Sequence, residues 1–150
     1  MDRGSIIIKP SWHLPKSMTP PKPATPYERQ LYEAEWDMNN FEERVIREIA
    51  ALPNIEFWHR NPENDAEGFK LNGPFGHFPD FMVLLKSGLF LLVEAKGDFL
   101  DNSSSAAKLR LGERWATRAG PNFRYFMVFD KKEMDGAMRL PEFIGLLRSM

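Results

Sequence analysis

Two carboxylates and a lysine stand at the open end of a short apolar hairpin in the middle of the chain. Residues 77–97 read HFPDFMVLLKSGLFLLVEAKG, in which two apolar runs flank a Lys-Ser-Gly turn. If Gly88 takes the φ > 0 position of a three-residue loop, the register places Asp80 opposite Glu94. Opposed residues on antiparallel strands have Cβ atoms roughly 4.5–5.5 Å apart, and strand alternation puts Lys96 on the face of Glu94. The three polar side chains are therefore predicted to converge.

Two carboxylates this close repel each other and lose hydration, which a hard divalent cation would offset. Mg²⁺, for which Mn²⁺ can substitute, accepts oxygen ligands, so Asp80, Glu94 and the main-chain carbonyl of Ala95 are the predicted ligands. Lys96 would orient the attacking water or help to deprotonate it. Such a group of residues points to metal-assisted hydrolysis of a phosphodiester. The alternative is a surface carboxylate and a lysine that end an ordinary hairpin.

An amphipathic helix predicted over residues 38–52 adds a third carboxylate. Its apolar side chains recur at helical spacing, and Asn40 with Glu43 resembles a capping box. At about 100° per residue, Glu42 falls inside the apolar arc. A carboxylate on that face is costly unless it is paired or bound to a metal, so Glu42 is a candidate ligand or water-orienting base. The alternative is a glutamate that reaches solvent from the edge of the arc.

Basic side chains that could contact nucleic acid lie on the flanking elements. A strand predicted over residues 54–61 ends in His59 and Arg60, which suit contacts to phosphates or bases, although His59 also fits an ordinary, partly buried histidine. A helix predicted over residues 105–120 carries Lys108 on its packing stripe, from which Lys108 could reach an active-site phosphate. Another stripe of this helix carries three arginines, here called the arginine ridge, which either contacts a nucleic-acid backbone or is simply solvated: Arg110, Arg114 and Arg118.

The remaining elements complete an alternation of helices and strands. Residues 123–129 predict a buried strand, and residues 141–148 predict a terminal helix. Residues 101–107, with their serine run, are predicted to be a mobile segment that leads into the arginine-bearing helix and faces the substrate. The order helix, strand, hairpin, helix, strand, helix predicts a layered α/β fold with the active site at the open end of the hairpin.

Taken in order, these segments resemble the PD-(D/E)xK nuclease superfamily, and more closely the C-terminal endonuclease domain of type III restriction subunits and related helicase-linked proteins. The resemblance spans residues 32–115 through YEAEWDMNNFEE, FWHRNPENDAEGFKL, FPDFMVL, LLVEAKGDFL and AAKLRLGERW. It implies a restriction-endonuclease-like core, an α/β fold with a mixed central β-sheet flanked by helices. It also implies Asp80 and Glu94 as metal ligands, Lys96 as the catalytic lysine and Glu42 as the helical acidic residue of the family.

Composition predicts one domain preceded by an arm. With 150 residues, 43% of them hydrophobic, the chain can bury one sizeable core. Residues 1–37 are predicted to be a Pro-rich arm with a helical lead-in, and residues 38–150 the nuclease domain. The arm would be a semi-rigid connector, or else it wraps its own core. The absence of cysteine, of a membrane-spanning apolar run and of a signal-peptide pattern predicts a soluble cytoplasmic protein with no membrane partner.

The net charge of −1 argues against strong DNA binding by this chain alone, because sequence-independent affinity comes largely from lysines and arginines. We therefore expect a DNA-cleavage module that a helicase or translocase and a recognition subunit deliver, as part of a restriction or defence system. Cutting both strands would require a homodimer or two encounters. The alternative is a non-catalytic nucleic-acid-binding or scaffolding module with the same fold, although concentrated acidic ligands beside phosphate argue against it.

Overall fold

A computed structural model of the protein describes residues 28–31, 38–64, 67–98 and 102–150. Within these ranges the fold is α/β, with a mixed five-stranded sheet flanked by helices, as predicted. In chain order the elements are α1 (Asn40–Ala50), β1 (Ile55–Arg60), β2 (Leu71–Asn72), β3 (Gly76–His77), β4 (Phe81–Leu85), β5 (Phe90–Lys96), α2 (Asn102–Ala119), β6 (Phe123–Phe129), β7 (Met138–Arg139) and α3 (Leu140–Arg148). The predicted strand β6 and terminal helix α3 are confirmed.

The main sheet has the strand order β1-β4-β5-β6-β7. The pairings of β4 with β1 and with β5 are antiparallel, whereas β6 pairs in parallel with β5 and β7. Strands β2 and β3 form a separate two-stranded sheet between β1 and β4 in the chain. The connection from β5 to its parallel neighbour β6 runs through α2, as a parallel pairing requires.

The central hairpin has the predicted register. The Leu85 amide donates to the Leu89 carbonyl at 2.9 Å, and four residue pairs follow in the same register. Gly88 has a φ of 91°, a left-handed conformation that a side chain would strain. One further step in this register brings Asp80 level with Glu94 at the open end of the hairpin.

Two apolar clusters pack on opposite faces of the sheet. Helices α1 and α3 cover one face, which includes Leu91 and Val93 of β5. Helix α2 covers the other face, which includes Leu92. Because neighbouring residues in a strand point to opposite faces, Glu94 shares the face of Leu92 and lies beneath α2. The candidate site is therefore on the α2 side of the sheet.

The start of α1 differs from the predicted capping box by one residue. The Asn39 side chain accepts hydrogen bonds from the Phe41 and Glu42 amides, and the Glu42 carboxylate accepts one from the Asn39 amide. The capping box is therefore Asn39 with Glu42, and the predicted pair of Asn40 with Glu43 is wrong. The cap also fixes the helix start at residue 40, within the predicted range.

Strand β1 contains a bulge that the sequence pattern did not reveal. Ile55 pairs with Leu85, but Phe57 pairs with Leu84, so the pairing shifts between Ile55 and Phe57. The extra residue reverses the alternation, and both Ile55 and Trp58 enter the same core cluster. Without the bulge, strict alternation would place Ile55 and Trp58 on opposite faces of the strand.

A short N-terminal segment, residues 28–31, lies along the outer edge of β1. The Trp58 amide donates to the Arg29 carbonyl, and the Leu31 amide donates to the Trp58 carbonyl, both at 2.9 Å. These four residues form a turn and a parallel bridge, so this part of the predicted helical lead-in is not helical. The rest of the predicted arm, residues 1–27 and 32–37, lies outside the described residues.

Helix α2 begins earlier than predicted. It is helical from Asn102, and Ser105 is only 2% exposed, so residues 102–107 of the segment predicted to lead into the helix are already part of it. Residue 101 of that segment lies outside the described residues. The helix ends at the predicted position, where Gly120 has a φ of 117°. Helix α2 packs closely on β6, since a Cβ at Gly112 would lie 2.3 Å from the Tyr125 ring.

Candidate active site at the open end of the hairpin

Asp80 and Glu94 lie side by side where the hairpin opens. The Oδ2 atom of Asp80 accepts a hydrogen bond from the Ala95 amide at 2.8 Å, which fixes this carboxylate against β5. The Glu94 side chain is 3% exposed. Burial, followed by repulsion from Glu94 and Glu42, raises the pKa of Asp80 well above its ordinary value. The structure thus brings together the two carboxylates that the hairpin register predicted.

Two lysines neutralise one oxygen of this pair. Lys96 Nζ lies 2.7 Å from Glu94 Oε1, and Lys108 Nζ lies 3.4 Å from the same oxygen. Lys108 therefore reaches the site from α2, as its place on the packing stripe suggested. Burial by itself would lower the pKa of Lys96, but the charge and hydrogen bond of Glu94, together with Lys108 and the charge of Asp80, raise it above its ordinary value. Lys96 is therefore an ammonium group at neutral pH.

The second oxygen of Glu94 is in a different environment. Oε2 is buried and has no hydrogen-bond partner among the residues that the structure describes. A buried carboxylate oxygen in this state costs about 1–3 kcal/mol, which makes it unusual in a folded protein. Such an oxygen, next to a second carboxylate, is a suitable donor for a hard cation.

His77 and Tyr125 complete the inner wall of the site, and the sequence analysis missed both. His77 Nε2 lies 2.9 Å from Tyr125 Oη and 3.7 Å from Glu94 Oε2. Burial lowers the pKa of His77 to about 4, so its ring is neutral at pH 7. Burial, together with the charges of Glu94 and Asp80, raises the pKa of Tyr125 well above 10. A tyrosine inside an apolar strand resembles an ordinary core residue, so the only sequence signal was the place of His77 just before Asp80.

Glu42 approaches the site from α1, on the other side of the sheet. It takes part in the helix cap and lies 3.7 Å from the Arg60 guanidinium. Its charge still contributes to the raised pKa of Asp80. Glu42 is therefore close enough to act electrostatically on Asp80, but its carboxylate is already engaged.

The basic residues differ in how much of each side chain reaches the surface. His59 is 1% exposed, and burial lowers its pKa to about 4, so its ring is neutral at pH 7 and does not lie at the surface, where a phosphate contact would form. The Arg60 side chain is 25% exposed and remains a candidate contact. The arginine ridge lies on the outer side of α2, where all three residues are exposed.

Metal ligation by side chains would depend on the carboxylate pair. Across residues 28–31, 38–64, 67–98 and 102–150, no group of three or more His, Asp or Glu side chains is placed to hold a metal ion. Mg²⁺ is commonly bound by one or two carboxylates, with water and substrate oxygens completing its coordination. Asp80 and Glu94 match that simpler donor set, with the Ala95 carbonyl as the predicted main-chain ligand.

Comparisons of the chain with protein-family models, curated proteins and solved structures found no match. None of the helices in the described ranges is long and apolar enough to cross a membrane.

Proposed function

We propose that this domain is a Mg²⁺-dependent endonuclease of the PD-(D/E)xK type, which hydrolyses DNA phosphodiester bonds and accepts Mn²⁺ in place of Mg²⁺. The main support is the pairing of the half-buried Asp80 with the buried Glu94, together with Lys96 on the Glu94 carboxylate. Buried like charges destabilise a fold, and perturbed carboxylates cluster at functional sites. A purely structural role gives no physical reason for two carboxylates at this position.

Asp80 and Glu94, with the main-chain carbonyl of Ala95, would hold the ion. Two properties of the site fit a cation: Glu94 Oε2 has no hydrogen-bond partner among the described residues, and the pKa of Asp80 is raised. When bound, a divalent ion supplies Lewis-acid polarisation of a phosphate oxygen and stabilises the charge on the leaving group.

The protonation state of Lys96 favours one of the two roles considered for it. Because the raised pKa keeps Lys96 an ammonium group, it is suited to orient a water or phosphate oxygen and to stabilise negative charge. It is poorly suited to take a proton from water at neutral pH. Lys108 adds a second positive charge at the same carboxylate oxygen and is the candidate contact to the scissile phosphate.

The proposed setting is a cleavage module that other domains or subunits deliver to DNA. The net charge of −1 supports weak DNA binding by this chain alone. The exposed arginine ridge and Arg60 would supply local phosphate contacts, and a helicase or translocase with a recognition subunit would supply the remaining affinity. Two copies of the site, as in a homodimer, would be needed to cut both strands together.

Cleavage of supercoiled plasmid by the purified chain tests the proposal, with Mn²⁺ or Mg²⁺ compared with EDTA. We expect metal-dependent nicking that falls by roughly 10²–10⁴-fold in Lys96→Ala and in Glu94→Gln. Lys86→Ala is the matched control, because Lys86 is an exposed lysine in the turn at the other end of the same hairpin.

Nicking of equal rate in wild type and Glu94→Gln would contradict the assignment of the site. Calorimetric titration with Mn²⁺ separates the two remaining outcomes if no protein nicks the plasmid. Binding that Glu94→Gln abolishes would support a metal site whose activity needs the delivering domains. No binding by wild type would reject the nuclease and favour the non-catalytic module.

A further inference from the structure

One buried asparagine ties together the two ends of the segment that leads into the candidate site. Asn61 Nδ2 donates to the carbonyls of Phe69 and Pro79, both at 2.8 Å, and Asn61 Oδ1 accepts from the Phe69 amide at 2.6 Å. The backbone amide of Asn61 donates to the backbone carbonyl of Asp80 at 2.8 Å. Four hydrogen bonds from one residue therefore hold both ends of residues 69–79, a segment here called the inserted loop.

The inserted loop has little regular structure to hold its ends in place. Its described pairing consists of the two-residue strands β2 and β3, and it includes Gly73 and Gly76. It carries His77 to the site and ends immediately before Asp80. Because so few hydrogen bonds hold the inserted loop internally, the position of Asp80 depends on how the two ends of the loop are held.

Asn61 itself is 5% exposed and uses most of its hydrogen-bonding capacity on the loop. A buried side-chain amide destabilises the fold unless its hydrogen-bond partners are correctly placed, so the three side-chain hydrogen bonds of Asn61 favour one position of the loop ends. The hydrogen bond from the Asn61 backbone amide to the Asp80 carbonyl also extends the pairing of β1 with β4 by one residue, beyond Arg60 and Phe81. The same residue thus sets both the path of the inserted loop and the start of β4.

We propose that Asn61 is a positioning residue, which holds Asp80 against the Ala95 amide and beside Glu94 and thereby sets the metal affinity of the site. The part that concerns metal affinity rests on the proposed function. The part that concerns the position of Asp80 does not, because the hydrogen bond from the Ala95 amide to Asp80 Oδ2 joins two protein atoms.

Amide hydrogen exchange, measured residue by residue in EDTA, tests the position of Asp80. In Asn61→Ala we expect the Ala95 amide to exchange about tenfold faster than in wild type, after correction for global stability, because its acceptor is no longer held. Asn54→Ala is the matched control, since Asn54 Nδ2 also donates to a carbonyl, that of Leu147 at 2.8 Å, but at the far end of the fold. If Asn61→Ala does not fold, Asn61→Ser retains a donor and serves in its place.

Calorimetric titration with Mn²⁺ tests the second part on the same proteins. We expect the affinity for Mn²⁺ to fall roughly 10–100-fold in the Asn61 variant and to stay unchanged in Asn54→Ala. Equal exchange of the Ala95 amide in the Asn61 and Asn54 variants would overturn the positioning role, whatever the metal does. Faster exchange with an unchanged Mn²⁺ affinity would overturn the link to metal. Faster exchange in a protein whose wild type binds no Mn²⁺ would reject the proposed function and leave the positioning role standing.

Discussion

Replacing Asp80 by asparagine should make the protein more stable than wild type in EDTA, and this advantage should shrink or reverse in excess Mg²⁺. Asparagine has nearly the same shape, and its Oδ1 can still accept the hydrogen bond from the Ala95 amide. What the substitution removes is a charge that burial and the neighbouring carboxylates Glu94 and Glu42 disfavour. The expected gain in stability in EDTA therefore comes from the loss of this charge and not from a change in side-chain volume.

The raised pKa of Asp80 determines whether the stability of the wild-type protein rises or falls with pH. The unfolded chain titrates near the ordinary value of 3.8, whereas the folded protein keeps its proton to higher pH. The stability that the protonated group contributes is thus fully present below pH 3.8 and is lost as the pH rises through the folded-state pKa. Asp80→Asn avoids this loss, so its advantage should be close to zero near pH 4 and largest at pH 8.

The magnitude can be set from the burial of the carboxylate. Burying a charged group costs more than the roughly 1–3 kcal/mol of an unsatisfied neutral group, but the hydrogen bond from the Ala95 amide offsets part of this cost for Asp80, so we take about 1–3 kcal/mol as the expected difference. Each kcal/mol shifts the Tm of a domain of this size by about 2–4 °C. We expect the Tm of Asp80→Asn in EDTA at pH 8 to exceed that of wild type by roughly 2–12 °C. A divalent ion at about 100 times its Kd would stabilise wild type by about 2.7 kcal/mol, and the variant by much less.

Differential scanning calorimetry at pH 4 and pH 8, in EDTA and in excess Mg²⁺, measures all four combinations. Asp135→Asn is the control, because it makes the same chemical change at an exposed position. A Tm for Asp80→Asn below that of wild type at pH 8 in EDTA would refute the reasoning. A difference of the same size at pH 4 and pH 8 would also refute it, because the charge would not be its cause.

Three further predictions concern packing, the inner wall of the site and the DNA surface. Gly112→Ala should lower the free energy of unfolding by about 1–3 kcal/mol in urea titration, because its Cβ would overlap the Tyr125 ring; an unchanged free energy would contradict the close packing. The control Gly145→Ala should raise the free energy of unfolding by about 0.5–1 kcal/mol, because nothing lies within 4 Å of its Cβ. Tyr125→Phe should cost about 1–2 kcal/mol in the same titration, since it removes the hydroxyl that contacts His77, and an unchanged midpoint would show that this contact contributes nothing. Reversing the charge of the whole arginine ridge should weaken DNA binding and reduce the salt slope by about 0.9 per lost contact, with Lys131→Glu as an exposed control; an unchanged slope would mark the ridge as merely solvated.

Local physics decided the parts of the structure that could be read directly from the sequence. The register of the central hairpin follows from the side-chain period of two and from one glycine at positive φ, both of which are properties of neighbouring residues. The strand β6 and the helix α3 were recognisable for the same reason, since each has a clear apolar pattern of its own. The pairing of Asp80 with Glu94 and the position of Lys96 then followed from the hairpin without knowledge of the rest of the fold.

Only the tertiary structure decided what surrounds that pair. Asn61 follows β1, His77 lies in β3 and Tyr125 lies in β6, and apart from the place of His77 just before Asp80, nothing in their local sequence shows that they meet around Asp80 and Glu94. The depth of His59 could not be judged from its strand, because exposure depends on what packs against a strand and not on the strand itself. The sequence by itself thus determined a carboxylate pair with its lysine, through short-range geometry. The buried hydrogen-bond network that holds this pair depends on contacts between distant residues, which only the folded chain brings together.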